Sequence, residues 1–197
     1  MSQLHFRLAA LAAAGSLMTA CTSVSLAPAG DYQVGGDTTV QLDRAWNDAS
    51  AIWPDRPRKV RLLTLDGPSL NRLYLTEGLV EGDVLARSPR RESRTPVYTT
   101  SMTVTEQVEF VAQSLSALGF ERVETSGVRP VDVAGARAAR FDIGASTSAG
   151  LHISGIGQVL RRDEKLYVAI YLAPTEHYFE ASRGSAEHVM QTVAFQP

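Results

Sequence analysis

The sequence predicts an α+β fold in which a mostly antiparallel sheet has helices packed on one or both of its faces. The second half of the chain contains several runs that alternate apolar and polar residues, which is the period of a β-strand. One segment near the middle instead repeats its apolar residues with the period of an α-helix, and a further helical stretch closes the chain. Strands that alternate in this way are typical of antiparallel sheets with one face on helices and one face more open.

The first strands and turns are expected between residues 38 and 102. Residues 59–65 form an apolar run that ends at an Asp-Gly-Pro turn, and residues 69–75 are predicted to return as the paired strand. Residues 96–102 are predicted to form another short strand because they are rich in β-branched and aromatic side chains. Residues 45–52, an Ala-containing segment between two tryptophans, are interpreted as a short helix whose tryptophans pack on the sheet.

The clearest element is a helix that begins after Thr103. Thr103 and Glu106 have the spacing of a capping box, in which each side chain satisfies a backbone N–H at the start of a helix. Gly119 is expected to end the helix, since glycine readily adopts the left-handed conformation that follows a last turn. The apolar residues between them recur at helical spacing: Val104, Val108, Val111, Leu115 and Leu118.

Four runs after the helix are predicted to be strands, at residues 121–129, 137–143, 151–160 and 165–172. In the second run, Ala139, Phe141 and Ile143 share one face. Pro174 is expected to open the closing helix, in which Gly184 marks a potential interruption and which ends near residue 193. The last strand places Leu166, Val168, Ile170 and Leu172 on one face and Lys165, Tyr167, Ala169 and Tyr171 on the other.

The N-terminus carries a targeting signal. Arg7 precedes an apolar run at residues 8–17, and small residues lead from that run to Cys21, the single cysteine of the chain. A positive start, a short apolar run and a small residue before the cut describe a secretory signal peptide. The run is too short for a membrane span, which needs about 20 apolar residues. Residues 1–20 are therefore expected to be removed by cleavage between Ala20 and Cys21.

Residues 17–21, Leu-Met-Thr-Ala-Cys, resemble the lipobox of bacterial lipoproteins, although Met18 stands where leucine is commonest. The resemblance implies that the thiol of Cys21 carries a diacylglyceryl group and that its amine is acylated, so the chain would partner the membrane through this residue. Two or three acyl chains hold a protein firmly, whereas one holds it only marginally. By the sorting rule of this lipoprotein family in enterobacteria, the resemblance also implies the outer membrane, with the domain facing the periplasm, because Thr22 rather than Asp follows the cysteine. An ordinary secretory signal that ends near a free cysteine is the alternative.

The chain thus divides into three parts. Residues 1–20 are the lipoprotein signal peptide, residues 21–37 are interpreted as a flexible tether, and residues 38–197 form a single α+β domain. The tether is inferred from its Ser, Ala, Gly and Pro content, although residues 32–34 could pair as a short first strand.

The C-terminal half resembles the end of PsbP/Mog1-like domains. The run Lys-Leu-Tyr-Val-Ala-Ile-Tyr-Leu-Ala-Pro at residues 165–174, followed by Tyr178, Phe179 and a closing helix, is similar to the strand, Ala-Pro break and helix of that family. The resemblance covers about 70 residues. It implies a non-catalytic binding or assembly module and names no partner.

Motifs for chemistry are sparse, and no cofactor is expected. His152, His177 and His188 have none of the recognised metal-ligand spacings, so no metal site is predicted. Neither a nucleophile elbow nor a Walker A sequence occurs, and Gly155 and Gly157 lie within a strand pattern, where glycine more often marks close packing than a phosphate site. A net charge of −2 argues against a nucleic-acid partner bound by broad phosphate neutralisation.

One constellation offers a candidate ligand face. If the last two strands form a hairpin, Tyr167 and Tyr171 share a face, with His152 and Ser154 across the strands and Arg140 on the strand before them. This face is either a groove for a small polar ligand or a peptide, or simply the solvent-facing side of the sheet. The arginine-rich residues 87–94 likewise either contact phosphates or lipid head groups, or form a solvated loop.

These observations predict a lipid-anchored lipoprotein of the cell envelope whose domain has a non-catalytic binding or assembly role. Its partner would be an unidentified envelope protein or a small ligand. The alternative is a periplasmic hydrolase that uses His152 or His177 together with nearby acids.

Overall fold

An eight-stranded antiparallel sheet is the centre of the computed structural model, which describes residues 24–88 and 95–196. Every neighbouring pair in this sheet is antiparallel, in the order β1-β4-β5-β6-β10-β9-β8-β7. The strands are β1 (Ser25–Ala27), β4 (Trp46–Asp48), β5 (Val60–Thr64), β6 (Arg72–Thr76), β7 (Glu121–Val133), β8 (Ala136–Ser146), β9 (His152–Arg162) and β10 (Lys165–Pro174).

A second layer covers one face of this sheet. It consists of helix α2 (Tyr178–Gln191) and a three-stranded sheet in the order β11-β3-β2, formed by β2 (Gly30–Gly35), β3 (Thr38–Leu42) and β11 (Ala194–Phe195). Helix α1 (Val104–Ala117) packs on the opposite face, so the fold has three layers and two apolar cores. The mostly antiparallel α+β architecture predicted from the sequence is confirmed.

Helix α1 forms as expected from its local sequence. The Thr103 side chain accepts a hydrogen bond from the Glu106 backbone N–H, and the Glu106 carboxylate accepts one from the Thr103 N–H, so both halves of the capping box are present. Gly119 follows the helix at φ +95°, where any residue with a Cβ would be strained. The helix thereby begins and ends where the sequence predicts.

The four strands after α1 are also confirmed, but the expected open face is not. Leu166, Val168, Ile170 and Leu172 of β10 pack toward α1, as predicted. Tyr167, Ala169 and Tyr171, on the other side, are buried beneath α2 and the small sheet rather than facing water. The expectation failed because the layer that covers them comes from residues distant in sequence.

The flexible tether predicted for residues 21–37 is largely wrong. β1 and β2 begin at Ser25 and Gly30, and their side chains join the core at Ala27 and Val34, which are 4% and 1% exposed. The Tyr32 hydroxyl also donates a hydrogen bond to Asp48 Oδ2 at 2.7 Å. Burial and pairing therefore place residues 25–35 inside the domain.

Three shorter predictions need correction. Residues 96–102 form a loop, in which Tyr98 exchanges backbone hydrogen bonds with Gly82 and Asp83 rather than joining a sheet. Residues 45–52 form β4 and a 3-10 helix (Ser50–Ile52), because β4 is paired on both sides by β1 and β5. The strand expected from residue 69 begins at Arg72, since buried Asn71 instead organises the turn through hydrogen bonds to Thr64 and Leu65.

The closing helix differs in its bounds. Pro174 is the last residue of β10, and α2 runs from Tyr178 to Gln191 without interruption at Gly184. Within residues 24–88 and 95–196, no helix combines the length and apolarity required to cross a membrane.

Candidate binding groove

Cys21, the predicted lipidation site, and Ala20, which precedes the predicted cleavage position, lie outside the described residues, as does most of the arginine-rich segment 87–94. The other predicted site residues are all described. The structure does not bring them together on one open face.

The two tyrosines of the predicted ligand face are core residues. Tyr171 is fully buried, and its hydroxyl donates a hydrogen bond to the Tyr178 carbonyl at 3.1 Å. Burial raises the pKa of Tyr171 to about 12, so its phenol stays protonated. Tyr167 packs its ring on Phe195 of β11, with the ring centroids 4.6 Å apart. Neither tyrosine is available to a ligand, because both are covered by the second layer.

The remaining members of that constellation are scattered. His152 is exposed at the start of β9, and the Ser154 hydroxyl shares a 2.9 Å hydrogen bond with the Thr175 hydroxyl. The Arg140 guanidinium donates to Oε1 of the buried Gln158 at 2.7 Å and to Oε1 of Gln191 at 3.3 Å. Burial lowers the pKa of Arg140. Arg140 therefore connects the sheet to the end of α2 instead of facing a groove.

The two histidines proposed for a hydrolase do not activate a nucleophile: Ser146, the register partner of His152, accepts a hydrogen bond from Arg122, and Ser154 is hydrogen-bonded to Thr175. His177 precedes α2 at φ +70°, and its ring lies edge-on to the Tyr178 ring. Across residues 24–88 and 95–196, neither His152 nor His177 has a side-chain hydrogen bond or an ion pair. No three His, Cys, Asp or Glu side chains of that part of the chain come close enough to hold a metal ion.

A different surface forms the best candidate site. A cavity of about 460 Å³ lies between the start of α1 and the strands β7, β8 and β9. Its floor is a row of apolar residues across the three strands, Pro130, Ala139 and Val159, which the sheet register places side by side. Val104 of α1 and Val128 of β7 border it, and are 50% and 54% exposed.

Three arginines form the rim of this cavity, which we call the arginine-rimmed groove. Arg129 lies on β7, Arg137 on β8 and Arg161 on β9, and no acidic residue of the described part of the chain lines the groove. The last two flank the paired residues Ala138 and Leu160, so their charges lie on adjacent strands. Like charges so placed repel each other unless an anion lies between them.

The arginines differ in how they are held. Arg129 donates two hydrogen bonds to the Asp142 carboxylate, at 3.1 and 3.2 Å, and this geometry fixes the guanidinium. Arg137 and Arg161 are exposed and make no ion pair within 4.0 Å with an acid of the described residues. Asp132 lies opposite Arg137 in the sheet register, yet does not pair with it at that distance.

The wall contributed by α1 is fixed by a buried side chain. Gln107 is 3% exposed, and its Nε2 donates a hydrogen bond to the Met102 carbonyl at 3.1 Å. This bond holds the loop before α1 against the helix, which positions Met102 and Val104 at the groove.

Sequence reasoning missed this groove. Val104 was counted with the buried side of α1, and Val128 and the three arginines were not singled out. A signal existed for Arg137, which lies two residues before Ala139 and therefore on the predicted apolar face of its strand. An arginine in register with a buried row is placed at the rim of a core.

A second, smaller cleft of about 320 Å³ lies at the other end of α1. Its lining includes Trp53 and Tyr74, whose rings are 5.4 Å apart in an edge-on arrangement, and the side chains of Arg72 and Arg87.

Comparison with known proteins identifies the fold. No protein-family model and no curated protein sequence matches the chain. Among solved structures, the cyanobacterial PsbP protein (CyanoP) of Synechocystis superposes with a TM-score of 0.53 at 13% identity, covering 94% of this chain and 98% of that one. The Ran-binding protein Mog1p of Saccharomyces cerevisiae superposes with a TM-score of 0.52 at 11% identity, covering 88% and 96%. At these identities the likeness concerns the fold alone, and the chain has a PsbP/Mog1-like α+β fold.

Proposed function

We propose that the protein is a lipid-anchored lipoprotein of the cell envelope whose domain binds a protein partner without catalysing a reaction. The observation that carries the binding function is the arginine-rimmed groove, with exposed Val104 and Val128 beside an apolar floor. Apolar side chains that remain exposed around a concave surface are typical of interaction sites. The PsbP/Mog1-like fold is compatible with such a role, since Mog1p is itself described as a binding protein.

The position of β1 supports an anchor close to the domain. Three residues separate Cys21 from Ser25, so the first strand would lie within about 14 Å of the lipidated residue. β1 is at one edge of the large sheet, and its Leu26 is 69% exposed there. This edge would face the lipid head groups, in place of the long tether inferred from the sequence.

The anchor is tested with Cys21→Ser in the full chain. We expect the variant to lose incorporation of an alkyne-labelled palmitate and to leave the membrane fraction, because it lacks the only thiol. Ser23→Ala, two residues later, is the matched control and should behave as the wild type. Unchanged palmitate labelling of Cys21→Ser would exclude lipidation at this site.

The outer-membrane location rests on Thr22 and has its own test. In bacteria that follow the lipoprotein sorting rule, Thr22→Asp is expected to move the protein from the outer to the inner membrane in a sucrose gradient. Thr22→Ser should remain in the outer membrane. If the wild-type protein is already in the inner-membrane fraction, the outer-membrane location is wrong, but the proposed lipid anchor on Cys21 is not contradicted.

Binding through the groove is tested by a photoreactive amino acid at Val128. We expect a discrete crosslinked product in intact cells, because this exposed side chain borders the groove. Leu151 is the control, since it is 48% exposed at the opposite end of the β8–β9 hairpin. Equal crosslinking at both positions, or none at Val128, would contradict a partner in the groove.

A further inference from the structure

The charge of the arginine-rimmed groove differs from that of the chain that forms it. The whole sequence carries two more acidic than basic residues, yet the residues of 24–88 and 95–196 that line the groove include three arginines and no acid. Asp132 lies opposite Arg137 in the sheet register but makes no ion pair with it within 4.0 Å, and two other acids are bound to neighbouring side chains. Asp142 is held by Arg129, and Glu106 is held by Thr103 and lines the other side of α1 with Glu109. Two guanidiniums therefore remain for carboxylates supplied by a ligand.

The shape of the groove indicates how apolar and charged contacts alternate. Its apolar row runs across β7, β8 and β9, and exposed valines of α1 and β7 border it. Arg137 and Arg161 each lie two residues along their strand from a member of this row. An extended peptide directs alternate side chains to opposite sides, so every second residue falls about 7 Å from the last on the same side. Such a segment can place apolar side chains on the floor while its carboxylates reach the rim.

On this basis, and resting on the proposed function, we propose that the groove binds an extended segment of a partner protein in which apolar and acidic residues alternate. Arg137 and Arg161 would each take a carboxylate, and Val104 and Val128 would enclose the apolar side chains.

Two other modes of contact fit the structure less well. The groove is centred on β8, six strand spacings from β1, which is roughly 30 Å away from the anchored edge. An anionic membrane surface at β1 would therefore lie away from the groove. Addition of a strand to the free edge of β7 is hindered by Pro130, which has no N–H to donate, and by the two irregularities in β7.

The test uses the detergent-solubilised full-length protein and three labelled peptides that share one apolar pattern: acetyl-EVELEV-amide, its lysine counterpart and its glutamine counterpart. Fluorescence anisotropy measures each affinity. We expect the acidic peptide to bind at least about tenfold more tightly than either counterpart, since one lost charge contact at an interface is a tenfold effect or more. Equal affinities, or no binding of the acidic peptide up to about 1 mM, would overturn the proposal.

Reversing the charges of two groove arginines tests whether the acidic peptide binds there. Arg137→Glu combined with Arg161→Glu is expected to weaken the acidic peptide at least about tenfold. The matched control is Arg44→Glu, an exposed residue on the loop before β4, which should change the affinity less than about twofold. Thermal melts verify that the variants stay folded, because substitution of exposed residues usually has little effect on stability. An affinity that is unaffected by the double variant would place the peptide elsewhere.

A separate experiment tests whether the groove binds a membrane surface instead of a peptide. Unacylated Cys21→Ser protein is sedimented with phosphatidylglycerol vesicles, and we expect no binding that depends on Arg137 and Arg161. Loss of vesicle binding in the double variant would overturn the peptide proposal. If crosslinking at Val128 succeeds while the acidic peptide fails to bind, the proposed function stands and only the ligand class falls.

Discussion

Gly157 offers the sharpest test of how the large sheet is packed. It lies on β9, directly opposite Phe141 of β8, whose ring is fully buried and covers the glycine. A Cβ at position 157 would be well inside van der Waals distance of that ring. The backbone there is not left-handed, so the glycine is required by contact with the ring and not by conformation.

Gly157→Ala is therefore expected to destabilise the protein. Overpacking a core costs about 1–3 kcal/mol, and the reduced freedom of the unfolded chain returns about 0.4–1 kcal/mol. At the middle of both ranges the net loss is about 1.3 kcal/mol, which lowers Tm by about 3–5 °C for a domain of this size. Thermal and urea unfolding of the full chain measure the change.

Two further variants make the explanation refutable. Gly184→Ala lies on an exposed position of α2 with no atom near the added methyl, and should raise stability by about 0.5–1 kcal/mol. Phe141→Leu should relieve the clash, so the double variant with Gly157→Ala should be less destabilised than the sum by at least about 0.5 kcal/mol. Simple additivity, or a Gly157→Ala protein as stable as the wild type, would refute the packing explanation.

Other predictions concern three local contacts. Thr103→Ala removes the side-chain acceptor of the capping box and should cost about 1 kcal/mol in urea unfolding, whereas Thr103→Ser should retain most of the stability. Tyr32→Phe removes the hydrogen bond to Asp48 and should cost about 0.5–1.5 kcal/mol. Although burial opposes ionisation of Asp48, hydrogen bonds from Ser50 and Tyr32 lower its pKa. The ionised Asp48 carboxylate therefore stabilises the fold at pH values above the unfolded pKa of about 4, and this stabilisation is lost as pH falls through the folded pKa. The difference in free energy of unfolding between the wild type and Asp48→Asn should accordingly become smaller in acid. A gap that widens toward low pH would contradict that sign. Arg140→Met leaves the buried Gln158 Oε1 without its donor and should cost about 1–3 kcal/mol, while Arg161→Met, an exposed change, should stay within about 0.5 kcal/mol. Equal losses in the two arginine variants would be inconsistent with the buried contact.

Features determined by neighbouring residues could be predicted from the sequence. The capping box at Thr103 and Glu106 is complete within four residues, and the apolar face of β10 follows from simple alternation. The glycine pattern in β9 was also interpreted correctly, because Gly155 and Gly157 leave no room for a Cβ beside Leu172 and Phe141.

Features that depend on residues distant in sequence could not be predicted from the sequence. The burial of Tyr171 depends on α2 and on strands from both ends of the chain, and no local pattern reports that cover. The groove could not be predicted for the same reason. Alternation places Arg137 on the α1 face of β8, but the gap beside it exists only because α1 begins at Val104 at that point of the sheet.

The pairing of β3 with β11 has a consequence for the order in which the protein is made. Ala194 pairs with Thr39, so the small sheet is incomplete until almost the last residue is available. Contacts of such long sequence separation are slow to form. Until residues 194 and 195 are available, β3 lacks one of its two partner strands, and Val34 and Val40 lack part of the cover that they have in the folded core. During synthesis the early strands would therefore stay incompletely packed, where chaperones and proteases can reach them.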